Sequence, residues 1–291
     1  MKKFVYGVHI MWFELGMIGE HLESLSAAIY NASWPVEVVI AVNYQTYIET
    51  PNIPLELIRK ELEGRLNNGS EKLPRYVDLT IFRVEQHTSF YNIADFRREL
   101  VCDDGYVIWG EIDALLPESY FACLEAADAV VKDAPCVFSF ASRKMWDDSW
   151  LPVEHFSLQD TTLEKTAHPF KNTDYITQSE LDTFNEQFTP TCIQLLQRKI
   201  DGSLLAVRHN VPQLIPEDMH FAREDFIAQK MLEKYGIPQM HFNSVLKGHN
   251  YKHPHKRWHT DSNREQDIYK KYEWESLMAG MKFVEEYSPD V

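Results

Sequence analysis

The chain lacks the features that would place it in a membrane, in a disulfide framework or on a polyanion. Its 291 residues contain no apolar run of the roughly 18 residues that a bilayer span requires. Its four cysteines, Cys102, Cys123, Cys136 and Cys192, form neither a Cys-x-x-Cys pair nor a dense framework. They point away from a structural zinc site and toward a reduced, cytoplasmic setting. Cations are scarce, with 29 lysines and arginines against 44 acids and a net charge of -15. Such an excess repels nucleic acid and anionic lipid and excludes nonspecific binding to either, while leaving room for a local basic pocket. Internal repeats and low-complexity segments are also missing. The opening Met-Lys-Lys followed by Phe4 to Phe13 looks superficially like a leader. His9 and Glu14 interrupt it and no small-residue cleavage site follows, so it reads as a buried first strand.

What is present is a globular composition, 44% apolar and 13% aromatic, on a chain long enough to bury a substantial core. Phe4 to Trp12 predicts a strand, Ile18, Leu22, Leu25, Ile29 and Ala32 recur at helical spacing, and a strand returns over Val36 to Val42. Strand, helix, strand with short connections is the parallel βαβ unit. The alternation continues with a helix over Pro51 to Leu66, a turn at Asn67-Asn68-Gly69-Ser70, a strand over Leu79 to Val84, and a helix marked by Ile93, Phe96 and Leu100. A fourth strand over Tyr106 to Gly110, a helix over Tyr120 to Val131 and a strand over Cys136 to Ala141 follow.

The stretch from Trp146 to Asn172, with Asp147, Asp148, Trp150, His155 and His168, has no clear period and reads as a long surface excursion. Thr177-Gln-Ser-Glu180 has the spacing of a capping box. Cys192 to Ile200 and Ser203 to Arg208 flank Asp201-Gly202, which predicts a hairpin. Arg223-Glu224-Asp225 opens a helix with Ile227, Met231, Leu232 and Tyr235 on its apolar face, closed by Gly236 and Pro238. A last helix runs from Gln266 to Glu286.

Two constellations carry chemistry. In Tyr106-Val-Ile-Trp-Gly-Glu-Ile-Asp-Ala-Leu-Leu-Pro117 an apolar strand runs into Glu111 and Asp113. Residues two apart in an extended segment point the same way, so both acids can face one ligand while Ile112 points into the core. Strand ends are where α/β sheets bind ligands, and hard oxygen donors suit magnesium or manganese. A solvated strand end bearing two acids is the plain alternative. The second constellation, Lys247-Gly-His-Asn-Tyr-Lys-His-Pro-His-Lys-Arg-Trp-His259, gathers four histidines and four cations within an acidic chain. Such a reversal of charge asks for an anion such as a diphosphate, and a neutral histidine there can complete a metal's coordination. A zinc site built from His249, His253, His255 and His259, or a basic surface loop offsetting the acidic body, are the other readings.

Taken together, the βαβ start, the Trp-Gly-Glu-Ile-Asp strand end, the Glu-Asp at a helix start and the histidine-lysine tail resemble GT-A glycosyltransferases of the family-two type, over about residues 4 to 126 and 215 to 258. The resemblance implies an α/β fold of GT-A type: a Rossmann-like mixed sheet flanked by helices, with a C-terminal helix. It implies a transferase domain over 1–260, with a nucleotide-sugar-binding half at 1–126 and an acceptor-side half at 127–260, and a helical tail at 261–291. By the same resemblance Asp113 is the direct ligand of a divalent metal, Mn2+ or Mg2+, and Glu111 binds the metal or the donor ribose. His249 completes the metal shell, with His253 in reserve. Asp225 is the base on the acceptor hydroxyl and Glu224 an acceptor-binding residue. Lys252, Lys256 and Arg257 face the diphosphate. Phe13, Glu14, Asn43 and Tyr44 occupy the base and ribose positions, and Tyr91, Asn92 and Arg97 the donor-side segment.

The implied partners are a nucleotide-sugar donor and a glycan, lipid or protein acceptor that meets residues 146–215. Inversion of the anomeric configuration is the expected outcome. A metal-dependent hydrolase of phosphoesters or nucleotide-sugars uses the same carboxylates. A noncatalytic sugar- or nucleotide-binding module could use Trp12, Trp109, Trp146, Trp150 and Trp258 as stacking faces, although large aromatics are more often core.

Overall fold

The structure, a computed structural model, describes residues 1–43, 55–84, 92–145, 150–151, 155–157, 175–196, 200–250, 253 and 267–287. Strand β1 (Lys3–Met11) is followed by a 3-10 turn over Trp12–Met17 and helix α1 (Ile18–Tyr30), then by β2 (Val36–Asn43), α2 (Leu55–Ser70), β3 (Asp78–Val84), α3 (Ile93–Glu99) and β4 (Gly105–Glu111). The four strands form a parallel half-sheet in the order β3-β2-β1-β4. Near-continuous apolar runs suit strands covered on both faces. Phe4, Tyr6, Val8, Ile10, Tyr106 and Ile108 pack with Leu22, Leu25 and Ile29 of α1 and with Tyr120, Phe121 and Leu124 of α4 (Tyr120–Val131). Val107 and Trp109 point the other way, into a second core with Ala94 of α3, Ile227 and Met231 of α6 (Glu224–Tyr235) and Val284 of α7 (Asp267–Glu286).

The other half of the sheet is mixed. Strand β9 (Leu205–Arg208) runs antiparallel between β4 and β6 (Val137–Met145), and β10 (Gln239–His249) lies parallel to β6. The two-residue β5 (Ala114–Leu115) pairs with the end of β10, and β8 (Cys192–Leu195) with its beginning. Strand β7 (Trp150–Leu151) pairs with the end of β6. Helix α5 (Gln178–Asn185) starts at the expected capping box: Thr177 N–H donates to Glu180 at 3.0 Å, and the Glu180 N–H donates to Thr177 Oγ1 at 3.3 Å. A mixed α/β sheet between helical layers, with a helix at its C-terminal side, is the GT-A layout expected from the sequence. Among the described residues no helix is long and apolar enough to cross a membrane.

Two local expectations are corrected, and one strand is added. Asn67-Asn68-Gly69-Ser70 is the last turn of α2 and not a loop. Gly69 is there because α1 packs close, a Cβ at that position lying 3.2 Å from the Ile18 side chain, and Ser70 Oγ donates back to Leu66 O at 2.8 Å. The expected Asp201-Gly202 hairpin does not form, since β8 pairs with β10 while β9 inserts between β4 and β6. Strand β10 itself escaped a reading by period, because its buried positions include Gln239, His241, Ser244, Lys247 and His249.

Candidate active site

The carboxyl ends of β1, β2, β4, β6 and β10 and the start of the antiparallel β9 share one rim of the sheet. Glu111 closes β4 on the face of Trp109, Ile112 turns into the core at 3% exposure, and Asp113 begins the turn to β5. Pairing of Ala114 with His249 brings the end of β10 across this turn, and the Asn250 N–H donates to Asp113 O at 2.7 Å. His249 Nε2 then stands 3.3 Å from Asp113 Oδ2 and 3.4 Å from Glu111 Oε2.

The turn is fixed from below. Gly110 admits the Tyr6 ring, whose atoms would lie 2.7 Å from a Cβ there. The Tyr6 hydroxyl is 3.0 Å from His21 Nε2, and His21 Nδ1 is 2.8 Å from Ala114 O. A carbonyl only accepts, so Nδ1 carries the proton and Nε2 accepts from Tyr6. Burial drives the His21 pKa down to about 4 and keeps that neutral tautomer in place.

Arg97, on α3 and 1% exposed, joins the two acidic motifs. Its guanidinium bonds Glu111 at 3.0 Å, the Gly202 carbonyl at 3.0 Å, and Glu224 at the start of α6, and it lies 5.0 Å from the Trp109 ring centre. A Cβ on Gly202 would stand 2.5 Å from Arg97 Nη1, so the close approach requires glycine. Burial raises the Glu224 carboxyl to about 7 despite the Arg97 charge. Asp225 is also raised, by burial first, with Arg97 opposing and the Glu111 and Asp201 carboxylates adding. Arg223 (φ 77) and Leu204 (φ 55) hold left-handed backbone immediately before α6 and β9, conformations that non-glycine residues keep only where their surroundings impose them.

Of the sequence-predicted residues, Arg97, Glu111, Asp113, Glu224, Asp225 and His249 are gathered here. Glu224, 5% exposed, is bonded by Arg97 at the start of α6. Glu14 accepts the Met11 N–H at 3.0 Å and closes the turn after β1, and Phe13 packs edge-on against Trp12. Asn43 is fully buried, with its amide 3.4 Å from His9 Nε2. Asn92 begins α3, its N–H donating to Asp95 at 2.9 Å. His253 stands 3.5 Å from Glu20 and 5.3 Å from the Tyr175 ring, away from the acidic corner. Trp12 and Trp109 are core residues. Tyr44, Tyr91, Lys252, Lys256, Arg257, Trp146, Trp258, His168, His255 and His259 lie outside the described residues, as does the side chain of Trp150.

Sequence reasoning missed His9, Ser142, Asp201, Gly202 and Asn250, and treated Lys247 only as one cation of a tail. His9 lies between Asn43 and Glu111 on neighbouring strands, and burial and then the Arg97 charge lower its pKa to about 3. Asp201 accepts from Ser142 Oγ at 3.3 Å and from Ser203 N–H at 3.2 Å. Asn250 pairs its side-chain amide with both backbone groups of Ile176, each at 2.8 Å. The Asp-Gly dipeptide was the one visible signal, and it was spent on a turn.

Glu111, Asp113 and His249 form the one group of metal-ligating side chains found among the described residues, with ligand atoms all within 4.8 Å. A divalent ion with bonds of roughly 2.1 Å at right angles sets its ligand atoms roughly 3 Å apart, close to the His249 separations. An imidazole nitrogen facing two carboxylates suits a positive centre between them, whether a proton or a metal ion. The rim carries Glu111, Asp113, Asp201, Glu224 and Asp225 against Arg97 and Lys247, a surplus of negative charge. Two carboxylates and one imidazole therefore fit Mn2+ or Mg2+.

No protein-family model matches the chain, and no curated protein matches it in sequence. Solved structures to which it is similar include the glycosyltransferases TarS and GalNAc-T7. One is S. aureus TarS 1-349 in complex with UDP-GlcNAc, at 13% identity and a TM-score of 0.45 over 97% of this chain and 73% of that one. Another is GalNAc-T7 with UDP, GalNAc and Mn2+, at 13% identity and a TM-score of 0.46 over 97% of this chain and 51% of that one. Full TarS is matched at 14% identity and a TM-score of 0.43 over 99% of this chain and 44% of that one. At such TM-scores the likeness transfers no activity, and the functional reading rests on this chain's own residues.

Proposed function

We propose that the protein is a metal-dependent glycosyltransferase that moves a sugar from a nucleotide-diphosphate donor to an acceptor hydroxyl with inversion. The observation that carries this reading is the convergence of Glu111, Asp113 and His249 at a strand end, with Asp225 facing the same rim from the start of α6. The bound Mn2+ or Mg2+ would supply electrostatic stabilisation of the departing diphosphate. Asp113, Glu111 and His249 would hold it, with the donor on the half formed by residues 1–126 and the acceptor on the half formed by 127–260.

Asp225 takes the acceptor proton as the hydroxyl attacks the anomeric carbon from the face opposite the leaving group. Its raised pKa brings it toward neutrality, where a general base is most effective. Arg97 keeps Glu111 and Glu224 apart in fixed positions and so sets the spacing between donor and acceptor sides. Buried and neutral, His9 and Asn43 form the floor between β1 and β2.

The test is thermal-shift binding of UDP, GDP, CDP and dTDP, with and without Mn2+, to wild type and Asp113→Asn. A metal-dependent shift for one nucleotide, lost in the variant, is expected and would name the donor class. No shift with any nucleotide would overturn the reading. Hydrolysis of a nucleotide-sugar without acceptor, as fast as transfer, would replace it with a hydrolase.

A further inference from the structure

Asp201-Gly202 has the composition of a hairpin turn, yet two strands and a loop converge on the Asp201 carboxylate. Its Oδ2 accepts from Ser142 Oγ of β6 at 3.3 Å, stands 3.4 Å from Lys247 Nζ, and lies 3.5 Å from His249 Nδ1. Its Oδ1 accepts the Ser203 N–H at 3.2 Å. Lys247 and His249 are two apart on β10 and so share a face, and Ser142 is the register partner of Lys247 on β6. Lys247, 1% exposed, also donates to the Ser203 carbonyl, which clamps the 201–203 loop to β10. Asp225 is near enough to feel the Asp201 charge.

We infer that Asp201 is a positioning residue that orients His249 for metal binding, an inference that rests on the metal site of the proposed function. A neutral imidazole has one N–H and one lone pair. A carboxylate on its Nδ1 side draws the proton there and leaves Nε2, the nitrogen facing Asp113 and Glu111, as the ligand atom. Lys247 and Ser142 in turn hold the carboxylate beside the Nδ1 edge of the ring.

The experiment is titration of the full chain with Mn2+ alone, following free Mn2+ by electron paramagnetic resonance, for wild type, Asp201→Asn and Ser142→Ala. Losing such an outer partner typically weakens metal binding about 10–100-fold. That loss is expected for Asp201→Asn, with a smaller one for Ser142→Ala, which removes a donor to Asp201 without altering charge and serves should Asp201→Asn not fold. Wild-type affinity in these variants would overturn the inference. Nitrogen-15 long-range spectra of the His249 ring with diamagnetic Mg2+ bound give a second readout: the Nδ1–H proton of wild type is expected downfield of its position in Asp201→Asn, and identical spectra would overturn the inference. If wild type takes up neither Mn2+ nor Mg2+, the metal site of the proposed function falls, whereas wild-type affinity in the variants leaves that site standing and overturns only the role of Asp201.

Discussion

Two arginines are buried on either side of β4 at its opposite ends, and the charges around them balance at one end and not at the other. Arg208, 1% exposed, lies 3.3 Å from Asp128 and 5.9 Å from the Tyr106 ring centre. Asp128 also accepts from the Tyr106 hydroxyl at 2.8 Å and from Lys2 at 2.5 Å, and the exposed Asp133 lies 3.4 Å from Arg208, so two cations meet two acids. Arg97 is buried as deeply and lies over Trp109, but its end of the sheet carries five acids for two cations. Burial and pairing are common to both, so neither marks function. What distinguishes the Arg97 end is negative charge left over after its own cations are counted, together with an imidazole set among the carboxylates. One end is a balanced structural cluster, and the other holds more acids than cations.

The sharpest way to break this comparison is kinetic. Asp113→Asn should lower turnover by at least ~10²–10³, the usual cost of losing a preorganised charge-stabilising group. Arg208→Met should leave turnover per folded molecule unchanged. Steady-state rates normalised to the folded fraction decide, and equal losses would show that the two ends do not differ in role. Next in size is stability. Removing one partner of a buried ion pair costs about 3–5 kcal/mol. Arg97→Met should approach that cost because it leaves Glu111 and Glu224 facing each other, whereas Arg208→Met should cost less because Lys2 still faces Asp128. Urea unfolding of both variants measures the gap, and its absence would argue against charge imbalance as the distinguishing property.

The smallest effect is a slope with pH. Glu224 is raised to about 7 in the folded chain from an ordinary 4.5, so the native state holds its proton over a range where the unfolded state has lost it. Its contribution is fully present below about 4.5 and is lost as pH rises through about 7, on the order of 1–3 kcal/mol. His9 and His21, lowered to about 3 and about 4, act in the opposite sense, costing stability as pH falls below about 6.5. The difference between wild type and Glu224→Gln isolates the carboxyl: the gap in unfolding free energy should favour wild type progressively less from pH 5 to pH 7.5. A gap that does not vary with pH would sink the assignment.

Much of the parallel half was legible because its signals are local. The runs of β1, β2 and β4, the spacing of α1 and α4, and the capping box of α5 each lie within a few residues. The same holds for Glu111, Asp113 and Asp225, whose placement needs only a strand end and a helix start. The mixed half was not legible. Strand β10 breaks the apolar pattern with Lys247 and His249, which are buried because Asp201 and Asp113 await them across the sheet. Asp201-Gly202 has the composition of a turn, and its role follows only from the approach of Arg97 and Ser142, residues distant in sequence. Asn250 likewise gives no sign in sequence that its amide completes the hydrogen bonding of Ile176.

The pairing of β5 sets an order of assembly. Ala114 and Leu115 pair with Gly248 and His249 of β10, and Asp113 O accepts from Asn250. The first four strands can associate as soon as residue 111 has left the ribosome. The turn that carries Asp113 gains its strand partner only once residues 248–250 have also emerged. Contacts so far apart in sequence form late and slowly. The acidic corner is therefore finished only after residues 248–250 have emerged, well after the parallel strands that carry Glu111 can associate.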